Sequence, residues 1–166
     1  MTKSGAVNEV SGRPETEAER LDRNFNELLQ ELRVAQAGTQ ILFAFLLTVA
    51  FTPYIQGAAA FEHRLLAATL VLAALATVLL IAPVPLHRMM FRQQMKGTIV
   101  EVSARLASAG LVLLLLAMLG GCLLALDALL DRTTAYLVTA GVAVWFAEFW
   151  LLLPVGLRVW GRRGET

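Results

Sequence analysis

Residues 106–126 read LASAGLVLLLLAMLGGCLLAL, twenty-one positions without one charged side chain. A helix of that length reaches about 31 Å, the thickness of the hydrocarbon core of a bilayer. Three more runs of similar length surround it, at roughly residues 34–54, 65–86 and 135–155. None of the four holds Lys or Arg, and only the last holds an acid, Glu148. Lipid offers no hydrogen-bond partner to a bare backbone, so each run is predicted to be helical. The predicted fold is therefore all-α. It is a polytopic membrane protein with an antiparallel four-helix transmembrane bundle over residues 34–157 and an N-terminal helical extension on the cytoplasmic side.

Basic residues give the orientation. Of the 14 Lys and Arg, twelve fall in three places. Lys3, Arg13, Arg20, Arg23 and Arg33 precede the first run. Arg88, Arg92, Lys96 and Arg105 lie between the second and third. Arg158, Arg162 and Arg163 form a basic tail over 158–166. The other two connections carry one each, Arg64 and Arg132. Positive flanks stay inside, so both termini and the central connection are expected in the cytoplasm of a plasma (inner) membrane protein. Pro53 falls at the outer end of the first run, and Pro83 and Pro85 at the inner end of the second, where an interrupted helix costs least. Trp150 and Trp160 suit interfacial anchoring.

Composition excludes several classes of function. Hydrophobic residues make up 57% of the 166, against about 45–50% in soluble domains. A net charge of +1 gives no footprint for nucleic acid. Cys122 is the only cysteine, so an intrachain disulfide is impossible. The two histidines, His63 and His87, stand far apart and far from Cys122, so no metal-ligand spacing is present. There is no phosphate-binding glycine loop, nucleophile elbow or catalytic carboxylate pair. No enzyme activity, metal or cofactor is expected.

The polar N-terminal segment, residues 1–33, is readable in detail. Residues 1–15 are expected to be disordered. Thr16-Glu17-Ala18-Glu19 is a capping box, which predicts a helix start. Leu21, Phe25, Leu28, Leu32, Ala35 and Thr39 then recur on one helical face. With no Gly or Pro before Gly38, an amphipathic cytoplasmic helix over 16–33 should run on into the first span. Its apolar stripe has three candidate partners: the basic, methionine-rich stretch 88–105, the membrane surface, or another protein.

The string Arg20-Leu21-Asp22-Arg23-Asn24-Phe25-Asn26-Glu27-Leu28-Leu29-Gln30-Glu31-Leu32-Arg33-Val34, with Gln36, Gly38 and Gln40 after it, resembles the signature of an uncharacterised actinobacterial four-span membrane family. The resemblance continues through Ala82-Pro83-Val84 and His87-Arg88 and covers most of residues 16–157. It implies an actinobacterial inner membrane. Some members carry the label sodium/proton antiporter-like.

Glu148 is expected about 10 Å inside the inner face of its span. An acid near the middle of a bilayer costs roughly 2.5–3.5 kcal/mol, so it should be neutral, paired or facing water. Depth along the helices makes Gln40, Thr77 and the shallower Gln36 its candidate partners. The spacing of Asn26, Gln30, Arg33, Gln36 and Gln40 suggests a polar stripe leading to it. Two readings stand side by side: a protonatable transport site, and a neutral side chain serving as interhelical glue. Glu62, Asp127 and Asp131 make an acidic outer rim with two readings, a gatherer of cations and plain solvated helix ends, and the second is the expectation. Arg33, His87, Arg88, Arg92, Lys96 and Arg105 form a candidate surface for anionic lipid headgroups or a partner.

Two functions compete. One is a non-enzymatic interaction or membrane-organising protein that uses the arm and the basic connection. The other is a small oligomeric proton- or cation-linked transporter or channel component. The expected partners are the lipid bilayer, anionic lipid, and a homo-oligomer or cytoplasmic protein.

Overall fold

The computed structural model describes residues 16–90 and 96–152. The tail expected to be disordered, Phe91, Arg92 and Met95, the end of the fourth apolar run and the basic tail with Trp160 lie outside the described residues. So do the side chains of His87, Arg88 and Lys96.

Every regular element among the described residues is helical. α1 spans Glu17–Ala50 without a break. Its start is the capping box: Thr16 Oγ1 accepts from the Glu19 N–H at 3.3 Å, and the Glu19 carboxylate accepts from the Thr16 N–H at 2.8 Å. α1 ends just before Pro53, which opens the single turn α2 (Pro53–Gln56) at a position where a missing N–H costs nothing. α3 (Ala60–Ile81) stops before Pro83, the first residue of α4 (Pro83–Met90). α5 runs over Lys96–Leu129. α6 (Arg132–Ala147) is capped by Asp131, whose carboxylate accepts from the Thr134 N–H at 3.0 Å.

The helices pack along stripes at alternating spacings of three and four, the signature of a buried helical face. In α3 the buried stripe is Glu62, Leu66, Thr69, Ala73, Ala76 and Leu80. In α5 it is Ser103, Ala107, Leu114, Ala117 and Leu124, with Gly110 also buried. These two helices approach most closely, because glycines replace side chains at the crossing. A Cβ on Gly110 would lie 2.9 Å from Leu80, and one on Gly120 only 2.3 Å from Thr69 Oγ1. α1 lies over both, with Leu46 packed in the cluster of Leu66, Ala73 and Ala117. Leu32 joins Ala76, Leu80 and Ala107. The contacts fix the directions. Gln36 meets Leu80 and Gly121 faces Leu42, so α1 and α5 run one way and α3 the other.

The fourth apolar run differs from expectation. Its α-helix is 16 residues long and gives way at Glu148 to a π-helical turn, Glu148–Leu152. Rings pair across this junction, Trp145 with Phe149 at 5.1 Å and Phe146 with Trp150 at 5.8 Å between centroids. Among the described residues three helical stretches are long and apolar enough to cross a membrane: Asp22–Ala50, Ala60–Leu86 and Ile99–Leu129. α6 packs chiefly against α5.

Candidate functional site

The polar residues singled out in the apolar runs are not gathered into one site. Glu148 lies on an exposed face at the junction of α6 and the π turn. Gln40 is exposed on α1. α1 packs mainly on α3 and α5, while α6 packs chiefly on α5, so their helices do not bring the two together. Thr77 donates its hydroxyl proton to the carbonyl of Ala73, within its own helix, at 2.9 Å. Thr39, Thr48, Thr69 and Ser108 do the same one turn back. Gln36 has a different task. α3 ends at Ile81, just before Pro83, and the Gln36 side-chain amide donates to the Leu80 carbonyl in its last turn at 2.7 Å. The expected polar stripe therefore divides: Gln36 caps the end of α3, and Gln30, Arg33 and Gln40 point outward. Of the basic surface, Arg33 and Arg105 are exposed, and Arg105 pairs with Glu101 at 2.6 Å.

A denser polar cluster stands at the opposite end from the arm, where the 51–59 and 130–131 connections lie. Glu62 was expected as a solvated helix end. It is only 7% exposed, and it pairs with Arg132 seventy positions away. Asp127 has a side chain only 5% exposed and accepts from Arg132 Nε at 3.1 Å and from Nη2 at 3.4 Å. The guanidinium fork therefore ties α3, α5 and α6 together. It also lies 4.2 Å above the ring of Phe61, which meets Tyr136 edge-on at 6.2 Å between centroids. Asp131 alone keeps the expected role, as an exposed helix cap.

Electrostatics follow the geometry. The hydrogen bond to Asp127, then the negative charges of Asp127 and Glu62, hold Arg132 above its ordinary value. Burial, then the charges of Asp127 and Glu62, hold the Tyr54 hydroxyl up, so it stays protonated at neutral pH. Tyr54, Glu62, Asp127 and Arg132 line an open cleft of about 580 Å³ with Ala58, Ala59 and Ala128. One oxygen of Glu62, Oε2, is buried with no hydrogen-bond partner.

Residues 14–154 match a family described as Family of unknown function (DUF6328). The chain belongs to this family. No curated protein and no solved structure matches it. The DUF6328 match takes in the arm, all three long helices, the far-end cluster and Glu148.

Periodicity carried a signal for the cluster. Counting back from Leu80 through Ala76, Ala73, Thr69 and Leu66 lands on Glu62, and counting forward from Leu124 lands on Asp127. Both acids continue buried stripes. Arg132 gave no such sign: Asp127 lies five positions before it, which is not a spacing of neighbours on one helix, and Glu62 lies seventy positions away.

Proposed function

We propose that this chain is a four-span protein of an actinobacterial inner membrane, α6 and the residues after it making the fourth crossing of an antiparallel bundle. Both termini and the central connection lie in the cytoplasm. The protein works without catalysis, as an interaction or membrane-organising protein whose cytoplasmic arm and basic connection meet a partner protein or anionic headgroups. Three helices of membrane-crossing length and apolarity support the setting. Positive flanks on alternate connections support the orientation.

One observation carries the interaction reading. The apolar stripe of the arm is already covered inside the chain, with Phe25 and Leu32 buried. What the arm offers outward is polar and charged: Asn26, Glu27, Gln30, Glu31 and Arg33 are exposed. An exposed, mixed-charge helix face selects partners by charge complementarity rather than by hydrophobic burial. Cross-linking in intact membranes from a benzophenone side chain at position 30 tests it. A discrete adduct is expected with the wild-type arm and not with Glu27→Lys/Glu31→Lys. Adducts equal in both, or absent from both, would overturn the reading.

A second reading, a proton- or cation-linked transporter or channel component, has one observation in its favour. The π turn begins at Glu148, and such turns concentrate at functional positions. An acid exposed on a helix at membrane depth needs a wet path or a second copy against it. Proton or sodium flux in proteoliposomes, compared between wild type and Glu148→Gln, decides it. Equal background flux in both removes this reading.

A further inference from the structure

We propose that a second copy of this chain seats on the lipid-facing side of α1, the Glu148 carboxyl of one copy bonding to the Gln40 amide of the next. The pairing rests on the four-span reading above, in which α6 crosses the bilayer. Both side chains are exposed, and neither makes a hydrogen bond or an ion pair among the described residues. Thr48, Thr77 and Ser108 spend their hydroxyls on their own helices. Depth matches the two. Tyr54 and Arg132 line one cleft, which gives α1 and α6 a common level. Glu148 lies about 24 Å from it along α6, and Gln40 roughly 21 Å from it along α1. Both fall inside a hydrocarbon core of about 30 Å.

Chemistry and shape select the occupant. Hydrocarbon offers neither donor nor acceptor, so an acid left facing it is costly. An amide carries N–H donors and a carbonyl acceptor. A neutral carboxyl carries an O–H donor and a carbonyl acceptor, so the two close a pair of hydrogen bonds. An ionised carboxylate also accepts from the amide N–H, and the match holds in either state. Within one chain they do not meet: α1 packs mainly on α3 and α5, and α6 chiefly on α5. Each copy brings both halves, so a closed assembly of copies leaves neither facing lipid. Small residues let the helices approach. Ala37 and Ala44, about one turn to either side of Gln40, are exposed. A Cβ on Gly141, about two turns from Glu148, would meet nothing within 4 Å.

The test uses the full chain in intact membranes, with Cys122→Ser to remove the only cysteine. Two differently tagged copies are co-expressed, one carrying Ala44→Cys and the other Val144→Cys. Both positions are exposed and lie one turn nearer the cleft than Gln40 and Glu148. Mild oxidation is expected to give a disulfide-linked dimer holding both tags. Its yield should fall about threefold with Gln40→Leu in the first copy, and by a similar factor with Glu148→Leu in the second instead. Absence of the mixed product overturns the proposal, as does a yield that either Leu substitution leaves unchanged. So does a product formed chiefly between two Ala44→Cys copies, since amide would then face amide. Phosphatase activity from a reporter at the C-terminus would remove the membrane setting of α6, and the pairing with it. A missing product beside a cytoplasmic C-terminus overturns the pairing alone.

Discussion

Gly120 has no room for a side chain. A Cβ there would stand 2.3 Å from Thr69 Oγ1 and 3.2 Å from its methyl group. Thr69 cannot swing clear cheaply, because its hydroxyl donates to the Leu65 carbonyl at 2.7 Å and the residue is fully buried. Gly120→Ala is therefore expected to force α3 and α5 apart and to cost about 1–3 kcal/mol, the usual range for an overfilled core. Gly38 is the control. Nothing lies within 4 Å of a Cβ added there, so Gly38→Ala should leave stability unchanged or raise it by up to about 1 kcal/mol. Unfolding midpoints of the two variants in one detergent check both expectations. Composition makes these two glycines look alike; only the partner helix separates them.

Capping and charge act on whole elements. The Glu19 carboxylate is held below its ordinary value, first by the backbone N–H of Thr16 and then by its hydroxyl. A group whose folded-state pKa is depressed stabilises fully above its unfolded value, and that stabilisation is lost as pH falls through the folded one. The first turn of α1 should thus be intact at neutral pH and fray only as the pH falls below the ordinary carboxylate range. Carbon chemical shifts of residues 16–20 report this, and Glu19→Ala should remove the acid step. The Arg132 fork works at the same scale by joining three helix ends. Arg132→Met leaves Glu62 and Asp127 buried without their cation. The unfolding midpoint should fall, though by less than for a fully buried pair, because Arg132 is half exposed. Arg132→Met combined with Glu62→Met should recover part of it, and a double-mutant cycle on unfolding midpoints measures how much.

Much at this scale was legible before the structure. The capping box, the proline stops and the stripe through Phe25 and Leu32 are local patterns, and local patterns are what a sequence displays. The polar partnerships are not local. Gln36 spends its amide on a carbonyl 44 positions away, and Glu62 reaches Arg132 across 70. Whether a polar side chain in an apolar run serves chemistry or repairs a backbone depends on the neighbouring helix, which is why Glu148 and Gln40 shared a depth in the reading and share no contact in the fold.

For the whole molecule the number of crossings sets where the two ends lie. Three stretches long and apolar enough to cross a membrane would put the two ends of the chain on opposite sides, and a fourth crossing would bring them back together. α6 decides. Its 16 residues span about 24 Å at 1.5 Å each, short of a hydrocarbon core of about 30 Å. The π turn through Leu152 carries the chain onward by several ångströms more. Large apolar side chains face outward along the way: Leu137, Val144, Trp145 and Phe149 are all exposed. A surface of that kind is stable against lipid and costly against water, so α6 is expected to stand within the bilayer with its capped end at the Glu62 cluster. Fluorescent-protein and alkaline phosphatase reporters fused in turn to both ends and placed between Leu130 and Asp131 measure the parity. Fluorescence at both ends, with phosphatase activity only at the 130–131 insertion, is the expected pattern. Phosphatase activity at the C-terminal fusion would mean three crossings, with α6 lying at the far interface and the basic tail outside.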